Sequence, residues 1–203
     1  MSARNLIIAI ILGSALAAGI FVAARLNQPA QLQHAFAVPA PQPLPAFTLA
    51  DQNGNAVTAD TFRGQWDMVF FGFTNCPDIC PTTLQILANA KRELMDTHLQ
   101  DSPRIVLVSV DPERDTPDLM GRYVDYFGDG NLGVSGELDE LTRFTKALGI
   151  YFEKMPADGE SYSVNHSAAV LIVNPQGEFS ALFSAPHDVA NFVHDLPILM
   201  SAD

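Results

Sequence analysis

Residues 68–84 read MVFFGFTNCPDICPTTL, and this stretch decides the fold. Met68 to Phe73 is a near-continuous apolar run, which suits a strand covered on both faces. From Cys80 the period changes. Leu84, Leu87, Ala88, Leu94, Met95 and Leu99 recur at three and four, interrupted by Lys91, and predict a helix to about Leu99. Between strand and helix lie the two cysteines of the chain, Cys76 and Cys80, spaced C-x-x-x-C. Side chains four apart on a helix face the same way, so one cation can bind both sulfurs. The free N–H groups and dipole of a helix start also favour thiolate. Such a pair suits a soft metal or reversible redox chemistry. The alternative is two inert structural cysteines or one static disulfide. Pro77 and Pro81, with the polar Thr74, Asn75 and Asp78, argue against a plain core.

Downstream, Arg104 to Val110 (RIVLVSV) is a second buried strand. Strand, helix, strand implies a right-handed crossover and parallel pairing. In the loop Asp111–Asp118, Thr116 and Pro117 read as N-cap and first residue of a helix that stops at Gly128. Asn131 to Ser135 is a short strand, and Glu137 to Leu148 a third helix closed by Gly149. Tyr162 to Val173 reads as one long strand, Asn174 to Gly177 as a type I turn, and Glu178 to Phe183 as the antiparallel return. A last helix falls within His187–Met200, where Pro197 is expected to distort or end it. Upstream, Phe47–Leu49 and Ala56–Thr58 pair about the Asn53-Gly54 turn. The sum is an α/β chain of thioredoxin-like fold, with an N-terminal β-hairpin and an inserted helix. Sites in such sheets form at the carboxyl ends of the strands, where the cysteines and the 111–118 loop both fall.

The N-terminus has a different character. Asn5 to Ala24 is uncharged and mostly apolar between Arg4 and Arg25. As a helix it spans a hydrocarbon core of ~30 Å, so residues 1–25 are expected to form one transmembrane anchor. A cleaved signal peptide is the alternative, with Ala35-Phe36-Ala37 as an A-x-A site. One Arg on each side leaves the orientation open. Residues 26–42 read as a linker rich in Pro, Gln and Ala, ahead of a globular domain over 43–203. The chain carries a formal charge of −12. That charge is unsuited to nucleic acid, and solubility alone accounts for it.

A metal held by two sulfurs needs at least one more ligand. Five histidines are available. His34 lies in the linker, His98 ends the first helix, and His187 and His194 belong to the last helix region. His166 stands alone in the strand expected to cross beside the cysteines. On pattern alone, a lone strand histidine is more often a core residue than a ligand.

Three separated motifs carry a resemblance: GFTNCPDICPTTL at 72–84, VSVDPERDTP at 108–117 and YSVNHSAAVLIVNPQG at 162–177. In this order they resemble the Sco/SenC family of copper-binding, membrane-anchored, thioredoxin-like proteins, over about residues 43–200. The resemblance implies that Cys76, Cys80 and His166 bind copper, as Cu(I), Cu(II) or both. It places Asp111 and Asp115 at acidic positions near the metal, as site support or as helix capping. It implies a metallochaperone that helps assemble the dinuclear copper centre of cytochrome c oxidase subunit II. Other copper chaperones or thiol-disulfide exchange proteins would be further partners, and nucleic acid would not. The head would face the bacterial periplasm, or the mitochondrial intermembrane space. One departure stands out: the residue before the histidine is usually Asp in the family and is Asn165 here. The second function is a thiol-disulfide oxidoreductase, in which Cys76 attacks a client disulfide and Cys80 resolves it.

Overall fold

The computed structural model describes residues 4–5, 12–13, 16–21, 31–96, 102–156 and 162–201. The chain divides into two units, Met1–Gln31 and Leu32–Asp203. In the first, the described residues before Gln31 are helical, and all the described residues are exposed. Among the described residues, no helix is long and apolar enough to cross a membrane. Most of the expected anchor lies outside the described residues, as does His98.

In the second unit the apolar runs become strands. In chain order these are β1 (Ala35–Pro43), β2 (Leu49–Asp51), β3 (Ala56–Val57) and β4 (Asp67–Gly72), then helix α1 (Ile79–Asp96). Next come β5 (Arg104–Ser109), α2 (Pro117–Tyr126), β6 (Leu132–Ser135) and α3 (Leu138–Ala147). The chain closes with β7 (Phe152–Pro156), β8 (Tyr162–His166), β9 (Val170–Val173), β10 (Glu178–Phe183) and α4 (Val189–Met200). Eight strands form one sheet in the order β1-β10-β9-β4-β5-β6-β2-β3, and β7-β8 is a separate pair. As the strand-helix-strand pattern requires, β4, β5 and β6 run parallel, and β9 lies antiparallel to β4.

The core follows from alternation along β4. Phe70 and Phe71 are both fully buried but point to opposite faces. Phe71 meets Phe144 of α3, whereas Phe70 faces His166. Each such ring contributes roughly 1.5–3 kcal/mol of burial. At the first residue of β4, Asp67 is wholly buried yet charge-paired: Arg104, opposite it in register, donates Nε and an Nη to its two oxygens at 2.7 and 3.1 Å. This pair locks the two parallel strands at one end. At the start of α2, Thr116 accepts from the Leu119 N–H and Pro117 fills the first position, as the sequence indicates.

Three expectations change. The stretch Tyr162–Val173 is not one strand. It breaks at Ser167–Ala169, so that β8 leaves the main sheet and pairs with β7 while β9 enters its centre. Within the expected linker, residues 35–43 form β1, which pairs with β10 across a register shift between Ala37 and Gln42. Proline is tolerated there because β1 is an edge strand, where unpaired N–H groups are not needed. Nor does Pro197 end the last helix, which runs on to Met200. The proline denies the Val193 carbonyl its ladder donor, yet the helix continues and the Ser201 N–H closes it on the Pro197 carbonyl at 3.1 Å.

Candidate metal centre

The parallel strands end where the chain turns out of the sheet, and the site is built on those ends. After β4, Phe73 is followed by a tight turn in which the Cys76 N–H donates to the Phe73 carbonyl at 3.3 Å. Pro77 and Asp78 then lead into α1, so Cys76 precedes the helix and Cys80 lies in its first turn. The Cys80 N–H is one of the free donors of a helix start. It donates to the Cys76 sulfur at 3.4 Å. Both cysteines are free thiols; Cys76 is half-buried and Cys80 buried. Burial, and then the neighbouring Cys76 sulfur, push the Cys80 thiol up.

The third member arrives from the other sheet. His166 closes β8, and its Nε2 stands 3.4 Å from the Cys80 sulfur. Its Nδ1 lies 3.0 Å from the Ser167 carbonyl. A carbonyl can only accept, so Nδ1 carries the proton and Nε2 presents its lone pair to the sulfurs. Phe70 and Phe73 meet the imidazole edge-on, with centroids 5.9 and 5.8 Å away. Burial lowers the imidazole pKa, partly offset by the Ser167 and Phe71 carbonyls, and so keeps the ring neutral. The ligand atoms of Cys76, Cys80 and His166 all lie within 4.8 Å of one another. Donors at ~2.0–2.3 Å from one metal stand only a few ångströms apart, so this spacing fits a single ion. Among the described residues, this is the one group of three or more such side chains placed to hold a metal.

Asp111 and Asp115 are not in that group. Both are buried, and both carboxylates have other partners. Asp115 accepts from the Thr74 hydroxyl at 2.5 Å, the Thr74 N–H at 3.2 Å and the Ser109 hydroxyl at 2.6 Å. It therefore ties the β5 loop to the cysteine loop. Burial raises its pKa, opposed by Ser109 and Thr74. Asp111 accepts from the Tyr162 hydroxyl at 2.6 Å and pairs with Arg114. Arg114 also donates to the Tyr162 carbonyl at 3.1 Å and lies 3.8 Å over the Tyr162 ring. The two aspartates thus brace the site from either side, one through the cysteine loop and one through the β7–β8 hairpin.

Asn165 is exposed. It lines a groove of about 220 Å³ with Cys76, Asp78, Ile79 and His166. Sequence reasoning missed three further parts: the Arg114–Tyr162 clamp, the Ser167 carbonyl and Gly72. A Cβ on Gly72 would lie 2.9 Å from the Cys80 sulfur and 2.9 Å from Phe70. The one signal for it was a glycine inside an otherwise apolar run.

A family profile described as SCO1/SenC matches residues 39–201. The chain belongs to the SCO1/SenC family. A Stutzerimonas stutzeri protein named for copper binding is 34% identical over 163 residues, which are 80% of this chain and 79% of that one. The human mitochondrial SCO2 homolog is 38% identical over 135 residues, 66% of this chain; the match spans about half of that protein, 51%. Among solved structures, Arabidopsis thaliana ScoI with copper bound superposes with a TM-score of 0.75 at 30% identity, over 78% of this chain and 98% of that one. Yeast Sco1 with copper bound gives 0.70 at 30% identity, over 77% and 87%. This SCO1/SenC chain has the mixed α/β, thioredoxin-like fold of those structures.

Proposed function

We propose that this protein is a copper chaperone that holds the ion between Cys76, Cys80 and His166 and passes it on by ligand exchange. The observation that carries the reading is the convergence of two sulfurs and one lone-pair nitrogen within 4.8 Å. Two thiolates and an imidazole are soft ligands well matched to Cu(I). The copper-bound relatives with the same fold support it. The family resemblance supports the rest: the client is subunit II of cytochrome c oxidase, whose dinuclear copper centre receives the ion. The uncharged run Asn5–Ala24 supports a membrane anchor, with the head in the periplasm or its mitochondrial equivalent. Alkaline carbonate extraction tests the anchor: the protein stays with the membrane, and release of a soluble form beginning near Val38 contradicts it.

Thiol-disulfide exchange is the second reading, favoured by two free cysteines of which Cys76 is the more accessible. The site chemistry ranks it lower. The first attack falls to Cys76, but the resolving step needs thiolate at Cys80, which burial disfavours. A metal displaces that proton outright. The deciding experiment titrates Cu(I) into the reduced protein against a competing chelator, beside Cys76→Ser, Cys80→Ser and His166→Ala. One tightly held ion in the wild type, lost in each variant, is the expected result. Tight stoichiometric copper in His166→Ala removes the three-ligand assignment.

A further inference from the structure

A second pair of metal-ligating side chains lies where the chain entering β1 meets α4. The Asp195 carboxylate there accepts from the backbone N–H groups of Gln33, His34 and Ala35, at 3.0, 2.7 and 2.6 Å. These bonds seat the entry to β1 and ask nothing of an imidazole, yet two imidazoles are present. His194 Nδ1 lies 2.6 Å from Asp195 Oδ1, and its Nε2 lies 2.9 Å from the Gln33 amide nitrogen. An amide nitrogen can only donate, so Nε2 is the lone-pair nitrogen and Nδ1–H donates to the carboxylate. That is the arrangement of a metal-ligating histidine, whose far N–H is held by a carboxylate that fixes the tautomer and raises the ring's basicity. What covers the lone pair is one exposed glutamine.

The second ring stands beside it. His34 is exposed, and its backbone N–H ties it to the same carboxylate. Among the described residues, its ring nitrogens have no hydrogen-bond partner. The His34 and His194 rings are perpendicular, with centroids 6.2 Å apart. Two imidazoles on one ion, each with its nitrogen ~2.0–2.1 Å from the metal, have centroids about 5–6 Å apart. A small rotation of two exposed rings therefore closes the pair on an ion. Neutral imidazoles suit Cu(II) and Zn(II), with Cu(II) the tighter by the general order of divalent metals. We propose that His34 and His194 form a second metal site, of imidazole type, which takes Cu(II) or Zn(II) and thereby clamps the entry of β1 to α4. The site uses no residue of the Cys76–Cys80–His166 centre and does not rest on the copper reading above.

The test uses the full-length protein in detergent carrying Cys76→Ser and Cys80→Ser, so that the other centre is gone. Titration with Cu(II) is expected to give one bound ion whose electron paramagnetic resonance shows coupling to two imidazoles. Adding His34→Gln or His194→Gln lowers that affinity by about tenfold or more and leaves coupling to one. Zn(II) slows amide exchange over residues 33–37, and does not do so in His34→Gln. His34→Gln keeps the backbone bonds to Asp195, so its effect is not one of unfolding. No bound ion, or an ion held as tightly in both histidine variants, overturns the proposal. An ion that binds yet leaves exchange over 33–37 unchanged does not join the two elements, and overturns it as well.

Discussion

His166 takes its orientation from a backbone carbonyl, and that fact bears on Asn165. In the family pattern the residue at 165 is usually Asp, and its loss would matter most if a carboxylate held the imidazole. Here the holder is the Ser167 carbonyl, 3.0 Å from Nδ1, while Asn165 is exposed in the groove. Asn165→Asp is therefore expected to change Cu(I) affinity less than about tenfold, since an exposed charge contributes roughly 1 kcal/mol or less. A larger change in the chelator titration contradicts the carbonyl's role. Gly72 is less forgiving. Gly72→Ala sets a methyl 2.9 Å from both the Cys80 sulfur and Phe70. Overpacking of this kind typically costs about 1–3 kcal/mol, so urea unfolding should show that loss, accompanied by weaker copper binding as Cys80 is displaced. The cysteines were legible in the sequence because their spacing and flanks are local. The Gly72 role was not, because it depends on Cys80 packing back from the helix; nor was the Ser167 role, because the direction of that carbonyl is set at the break between β8 and β9.

Among the elements, β1 shows most plainly what a sequence pattern hides. Its prolines mark extended backbone, and nothing local says that this backbone joins a sheet. The partner is remote: the Asp195 carboxylate on α4 accepts from the N–H groups of Gln33, His34 and Ala35, at 3.0, 2.7 and 2.6 Å. His194 adds a contact at 2.6 Å. Burial alone would raise the Asp195 pKa, but the His194 contact and these three N–H groups together hold it below its ordinary 3.8. A lowered carboxylate stabilises the fold above its unfolded value and loses that contribution as pH falls through the folded one. Asp195→Asn is expected to speed amide exchange along Ala35–Pro43 by about tenfold or more at neutral pH. Wild type should approach the same rates only when the pH drops below 3.8. Equal protection in the variant at neutral pH contradicts the latch. The break that separates β8 from β9 was equally invisible, since YSVNHSAAVLIV reads as one β-rich run. What divides it is the Tyr151 carbonyl, which captures the Ser167 N–H at 2.9 Å.

For the molecule as a whole, the central sheet was readable because β4, β5 and β9 are buried on both faces and so nearly all apolar. The charged exceptions within them are Asp67 and its partner Arg104, and Asp67 sets a pH dependence of opposite sign to Asp195. Burial raises Asp67 to about 6, against the opposing pull of Arg104. A raised carboxylate contributes stability that is complete below the unfolded value of 3.8 and is lost as pH rises through about 6. The stability of wild type relative to Asp67→Asn should therefore decline between those two pH values and level off above them. A difference that stays flat across the window shows that Arg104 fully offsets the burial. At this scale the division into two sheets has its largest effect. Cys76 and Cys80 ride on the end of the main sheet, whereas His166 rides on the β7–β8 arm, clipped to it by Arg114 and Tyr162. A grip shared between two sheets is closed by neither alone: two holders come from one and the third from the other, the arrangement that handing cargo over one contact at a time asks of a carrier.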